Sequence, residues 1–185
     1  MRGLIVAVSM ALLVGCYDPK TDQLVVLAGD SIMRDAVPHL LDEIHPYDNK
    51  PHVMIEAAGG APLREIQYIQ GRIESINSIK VPDMVFVSLG ANDRIFPAWS
   101  FGFLVHAFMA DIHPDTRVYW IPPHSRMPGS DPFIQAVERA AYSWPNLEVL
   151  RLHPSAGDVS ADGVHLSEAG NVKLANKIKE VIYDR

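Results

Sequence analysis

Apolar residues along this chain fall into two patterns. Five short runs are nearly continuous and rich in β-branched residues: Leu24–Leu27, Val53–Ala57, Met84–Ser88, Val118–Ile121 and Val149–Leu152. Continuity rather than alternation predicts strands buried on both faces, as in a parallel sheet covered by helices. Between these runs, apolar positions recur at helical spacing. Ser31–Ile44 carries Ile32, Val37, Leu40, Leu41 and Ile44, with a kink expected at Pro38, and Leu63–Ile79 carries Ile66, Ile69, Ile73 and Ile76. Phe101–Ile112 is apolar over most of its length. Pro132–Trp144 follows Asp131, an expected N-cap with proline at the first helical position. Ser167–Ile182 closes the chain, with Ser167 as its expected N-cap. Strands alternating with helices are βαβ units with right-handed crossovers. The predicted fold class is α/β, a three-layer α/β/α sandwich on a five-stranded parallel sheet, formed by a single domain over residues 23–185.

One apolar run belongs to neither pattern. Arg2 precedes 12 uncharged, mostly apolar residues, Gly3–Val14, and the run ends in Leu13-Val14-Gly15-Cys16. A membrane-spanning helix needs about 20 residues, so this segment reads as a secretory signal. The plainer alternative is an N-terminal strand or helix with an incidental cysteine. Leu13-Val14-Gly15-Cys16 resembles the bacterial lipoprotein processing box. That resemblance implies that residues 1–15 are a signal peptide, that Cys16 is lipidated as the first mature residue, and that residues 16–22 are a tether. The mature protein would then be exported and held on the cell envelope, each buried CH₂ of its acyl chains contributing about 0.8 kcal/mol.

Composition narrows the function. With 185 residues, 48% hydrophobic and 21% charged, the chain is globular rather than disordered. Its 16 basic and 22 acidic side chains give a formal charge of −6 with no Lys/Arg cluster, which argues against nucleic acid as a partner. A single cysteine excludes an intramolecular disulfide and a cysteine zinc site. The eight histidines show no His-Glu-x-x-His spacing, so no zinc site is expected, and there is no phosphate-binding glycine loop. The absence of a Gly-x-Ser-x-Gly elbow disfavours the α/β-hydrolase fold.

Ligands of open α/β sheets bind at the carboxyl ends of the strands, so candidate chemistry lies in the residues just after each strand. Gly29-Asp30-Ser31 follows the first. Gly29 permits a tight turn, and Ser31 either projects its hydroxyl from the sheet edge or simply caps the next helix. Ala58-Gly59-Gly60-Ala61-Pro62 follows the second, where a glycine N–H can serve as a donor or merely make a turn. Gly90-Ala91-Asn92-Asp93 follows the third; Asn92 can aim its amide at an oxyanion or form an Asx-turn. Asp162-Gly163-Val164-His165 precedes the last helix. A carboxylate three residues before an imidazole can accept from its Nδ1–H and leave Nε2 free as a base. The same spacing occurs in Asp42-Glu43-Ile44-His45, but His45 lies about 21 Å along the helix from Ser31 and cannot reach it. Of second rank are His124, which reads as an exposed loop histidine, and Arg34, Phe96, Trp99 and Arg126, for which packing or solvation explains as much as a pocket does.

These blocks, in this order, resemble the SGNH (GDSL-type) hydrolases, over Leu24 to about Ile182. The matching residues are Gly29-Asp30-Ser31, Gly60, Gly90-x-Asn92-Asp93 and Asp162-x-x-His165. Ile32 stands where the family's first block has leucine, and the second block lacks the usual Asn-Gly setting; Gly60 is preferred to Gly59 because Gly60-Ala61-Pro62 overlays the usual Gly-Ala-Thr. The resemblance implies a flavodoxin-like sheet and a cofactor-free ester hydrolase. Ser31 would be the nucleophile, His165 the general base and Asp162 its orienting acid, with the Ser31 N–H, the Gly60 N–H and the Asn92 side chain as oxyanion hole. A short chain suggests an open site and small acyl groups, such as acetyl on a glycan. The rival readings are a lysophospholipase or thioesterase acting on longer chains, and a non-catalytic envelope lipoprotein that uses the fold for binding.

Overall fold

The computed structural model describes residues 23–41, 51–57, 59, 71, 80–93 and 97–183. Over these the chain runs through β1 (Leu24–Gly29), α1 (Ser31–Leu41), β2 (His52–Ala57), β3 (Met84–Ser88), α2 (Ala98–Ala110), β4 (Arg117–Trp120), α3 (Asp131–Ala141), β5 (Leu147–Val149), a 3-10 turn (Ala156–Asp158) and α4 (Glu168–Tyr183). The strands form one sheet in the order β2-β1-β3-β4-β5, and every neighbouring pair is parallel. This is the flavodoxin-like doubly wound order, in which the winding reverses between β1 and β3. The crevice beyond the carboxyl ends of those two strands is therefore where such a sheet binds its ligand.

Side-chain alternation along buried strands sends consecutive residues into opposite layers. Val26, Ala28, Val85, Val87, Val118 and Trp120 join the core beneath α2 and α3. Val25, Leu27, Phe86 and Tyr119 join the core beneath α1 and α4. All six residues of β1 are buried, which is why its run shows no polar alternation. Trp120 meets Phe101 and Phe108 edge-to-face at 6.2 and 5.5 Å, while Phe86 stacks on Tyr119 at 4.9 Å across the other face. Each such large side chain stabilises the fold by about 1.5–3 kcal/mol.

Two local expectations change. β5 pairs over Leu147–Val149 rather than Val149–Leu152, because Leu147, Glu148 and Val149 are the residues in register with Val118, Tyr119 and Trp120. Asp131 is the first residue of α3 and not its cap. Ser130 takes the cap position in a helical conformation without a capping side-chain bond, and the Asp131 carboxylate lies in the first turn, where the helix dipole favours it. α1 runs through Pro38 to Leu41. Ser167 caps α4 as expected, its Oγ accepting from the Gly170 N–H at 3.3 Å. The expected signal peptide, tether and Cys16, along with Gly60, His45, Phe96 and all of the expected helix Leu63–Ile79 except Gly71, lie outside the described residues.

Candidate active site

The site begins with a close approach of two strands. A β-carbon on Gly29 would stand 2.5 Å from the Ser88 carbonyl oxygen and 2.9 Å from the Met33 β-carbon. The glycine at the end of β1 is thus required by packing against β3 and α1 rather than by an unusual turn. The Asp30 N–H then donates to the Ser88 carbonyl at 2.9 Å, fixing the start of α1 to the end of β3. Asp30 is fully buried, and its Oδ1 accepts from the Ile32 N–H at 3.0 Å. The helix cap is therefore Asp30, and the Ser31 hydroxyl is left for other work.

That hydroxyl meets an imidazole. Ser31 Oγ is 3.0 Å from His165 Nε2, and His165 Nδ1 is 2.6 Å from Asp162 Oδ2. The other Asp162 oxygen accepts the Val164 and His165 backbone N–H groups at 2.9 and 3.0 Å. The hydrogen bond from His165, then these two N–H groups, hold the Asp162 carboxyl well below the usual carboxylate range. With Nδ1–H committed to Asp162, Nε2 carries the lone pair that faces the hydroxyl. The Ser31, Asp162 and His165 singled out in the sequence are thus in hydrogen-bond sequence. The 134 positions between Ser31 and His165 are spanned because β1 and the loop before α4 end on one edge of the sheet.

The imidazole loop is tied down at its base. Val159 and Leu166 form an antiparallel bridge, and the Ser160 N–H donates to the His165 carbonyl at 2.9 Å. Below it, Asp158 accepts from Lys173 of α4 and from the Ser155 backbone and hydroxyl, and these bonds lower its carboxyl to about 2. His124 completes the support. Expected to be an exposed loop residue, it is instead fully buried, and its Nε2 donates to the Val164 carbonyl at 3.0 Å, next to the His165 imidazole. Its place after β4 was the only signal in the sequence; burial depends on the loop packed over it.

Asn92 approaches from β3. Gly90 has φ +118, and a β-carbon there would also strike the Phe101 ring at 2.8 Å. The reversal it allows, closed by the Asp93 N–H on the Gly90 carbonyl at 3.2 Å, turns the Asn92 amide back so that Nδ2 lies 3.5 Å from Asp30 Oδ2. Burial, with the nearby Asp93 carboxylate adding to it, pushes the Asp30 carboxyl up to about 7 against the pull of the Ile32 N–H and His165. The side chains of His165 and Asp162 are 38% and 49% exposed. Among the second-rank residues, Arg34 pairs with Asp35 in solvent, and the Arg126 guanidinium donates to the Pro154 carbonyl, joining two loops. Trp99 stands exposed on α2. Among the described residues no group of three His, Cys, Asp or Glu side chains is placed to hold a metal ion.

Comparison with solved structures identifies the fold. A member of the lipolytic G-D-S-L family from Veillonella parvula superposes with a TM-score of 0.66 at 17% identity, covering 88% of this chain and 99% of that one. The family 3 carbohydrate esterase of Clostridium thermocellum gives 0.65 at 18% identity, covering 87% and 94%. A chain from Slackia heliotrinireducens assigned to the SGNH hydrolases gives 0.65 at 16% identity, covering 87% and 98%. No protein-family model matches the chain, and no curated protein matches it in sequence. The chain has the fold of the SGNH (GDSL-type) hydrolases, with Ser31, Asn92 and the Asp162–His165 loop on the edge where that fold places its ligand.

Proposed function

We propose that this protein is a serine esterase that hydrolyses carboxylic esters through an acyl-enzyme, acting on small acyl groups such as O-acetyl on glycans. The observation that supports it is the relay Asp162–His165–Ser31, with contacts of 2.6 and 3.0 Å. His165 Nε2 takes the Ser31 proton as Oγ attacks the ester carbonyl. Collapse of the tetrahedral intermediate expels the alcohol, which leaves with that proton, and Ser31 carries the acyl group. Water then gives a proton to the same nitrogen and attacks, releasing the acid and restoring the hydroxyl. The Ser31 N–H in the first turn of α1 has no acceptor within the helix. With the Asn92 amide and the Gly60 N–H it would receive the oxyanion.

The open setting of Asp162 and His165 favours a compact acyl group on a large alcohol over a long acyl chain, which needs an enclosing apolar groove. The solved carbohydrate esterase of the same fold agrees with that choice. Lipidation of Cys16 would hold the enzyme on the cell envelope, where such glycans lie. The test is hydrolysis of p-nitrophenyl esters of increasing acyl length and of an O-acetylated glycan. The expected result is highest turnover with acetyl and near-complete loss in Ser31→Ala. Full turnover in Ser31→Ala removes the serine mechanism; a preference for long chains replaces the glycan reading with a lipase or thioesterase.

A further inference from the structure

Helix α2 is built unlike an ordinary surface helix. Ala98–Ala110 contains no charged residue, and its polar side chains are Ser100 and His106. Phe101, Val105, Phe108 and Met109 fill the core. A surface helix normally sets such a stripe against a polar face, yet the outward face here is apolar as well. Trp99 and Phe103 are each 69% exposed and meet edge-to-face at 6.1 Å and 87°. One and two turns further on, Ala107 and Ala110 continue the exposed stripe.

We propose that this face of α2 lies on the lipid bilayer and orients the domain there, an inference resting on the lipid anchor proposed above. Leu24 opens β1 at the amino edge of the sheet, eight residues after Cys16. Eight extended residues reach at most about 29 Å, so an anchored domain stays within about its own width of the membrane. α2 is about 20 Å long, too short to cross a hydrocarbon core of about 30 Å, and it lies flat instead. Trp and Phe are side chains suited to that interface.

Other occupants fit less well. The stripe, about 20 Å by 10 Å, offers roughly 200 Å², against about 800 Å² per partner in a stable dimer. A sugar stacked on Trp99 would need hydrogen-bonding neighbours for its hydroxyls, and the outward stripe supplies phenylalanine and alanine. Lacking Lys and Arg, the face would bind zwitterionic lipid, and salt would not weaken it.

The test uses the full lipidated chain in phosphatidylcholine vesicles whose acyl chains carry bromine. Tryptophan fluorescence is expected to be quenched, and the quenched fraction to vanish both in Trp99→Phe, which keeps the face apolar, and in the Trp99→Ser, Phe103→Ser double variant. Equal quenching in wild type and Trp99→Phe overturns the proposal. So does a dimer in solution that the double variant breaks, or a rise in KM for glycan in the double variant with vesicle contact unchanged. The mass of the amino-terminal peptide reports on Cys16 separately. Should it carry no lipid, the anchor reading fails, and the face is read by sedimentation with added vesicles: at least about tenfold weaker binding of the double variant supports it, and equal binding overturns it.

Discussion

Asp30, Ser31 and His165 illustrate how one residue's local duty frees its neighbour. Read along the chain, Ser31 had two roles open, helix cap or projecting hydroxyl, and the Asp30 contact to the Ile32 N–H settles where the cap is. Gly29–Ser31 and Gly90–Asp93 are legible because each block follows a strand end, and Asp162–His165, in the loop before α4, is legible by its carboxylate–imidazole spacing. Asp30 as cap and His124 as support were not, since both depend on burial created by distant segments. Removing the Asn92 amide should lower kcat about 10²–10³-fold while KM changes little, if that amide acts on the oxyanion; steady-state kinetics of Asn92→Ala on an acetyl ester checks it, and a change confined to KM would assign Asn92 to ground-state binding. His124 reaches the loop through the Val164 carbonyl and touches no reacting atom, so its expected role is positioning. His124→Phe, which keeps a ring but no donor, is expected to lower kcat roughly ten- to a hundredfold. It should also broaden the low-field proton resonance of the Asp162–His165 bond. His124→Gln, whose amide can still donate, should recover much of both. A loss of thermal stability alone, with kcat and resonance intact, would make His124 packing only.

At the scale of elements, the strands were the most readable part of the chain. β1, β3 and β4 coincide with apolar runs because a doubly wound sheet buries both faces of its central strands, whereas β2, on the sheet edge, follows its run while staying partly exposed. Both ends of β5 differ from the apolar run Val149–Leu152: Leu150 and Leu152 continue the apolar pattern past the last paired residue, while pairing starts two residues earlier at Leu147; register with β4, a tertiary fact, decides both boundaries. Pro38 tests the helix argument in the other direction. Its missing N–H leaves the Arg34 carbonyl without an intrahelical donor, and its ring crowds that carbonyl, while the residue itself is exposed. Pro38→Ala is therefore expected to stabilise the protein by about 1–2 kcal/mol, less than the full interior penalty because proline also restricts the unfolded chain. Urea denaturation measures it, and a stability equal to or below wild type would mean the backbone has already relaxed around the ring.

For the whole molecule, three carboxyls shifted in opposite directions set the dependence of stability on pH. Asp158 and Asp162 are held below their ordinary value by hydrogen bonds, from Lys173 and Ser155 in one case and from His165 and backbone N–H groups in the other. Their contributions are present above about pH 4 and are lost as pH falls through the folded values, near 2 for Asp158. Asp30 works the other way. Burial raises it from 3.8 to about 7, so the native state holds a proton that the unfolded chain releases. Its contribution is complete below about pH 4, declines as pH rises, and is gone above about pH 7. Asn at this position keeps an oxygen for the Ile32 N–H and carries no charge to bury. Comparing wild type with Asp30→Asn cancels every shared group that does not interact with Asp30, so the difference curve reports this carboxyl together with its coupling to Asp93 and His165. Asp30→Asn should gain on wild type steadily between about pH 4 and pH 7 and hold a constant advantage beyond, of order 4 kcal/mol at most. Against a total stability of roughly 5–15 kcal/mol that is readily measured by urea unfolding at stepped pH. Parallel curves across this range would mean that Asp30 ionises as an ordinary surface carboxyl, and that the cap of α1 is solvated rather than sealed behind Ser31.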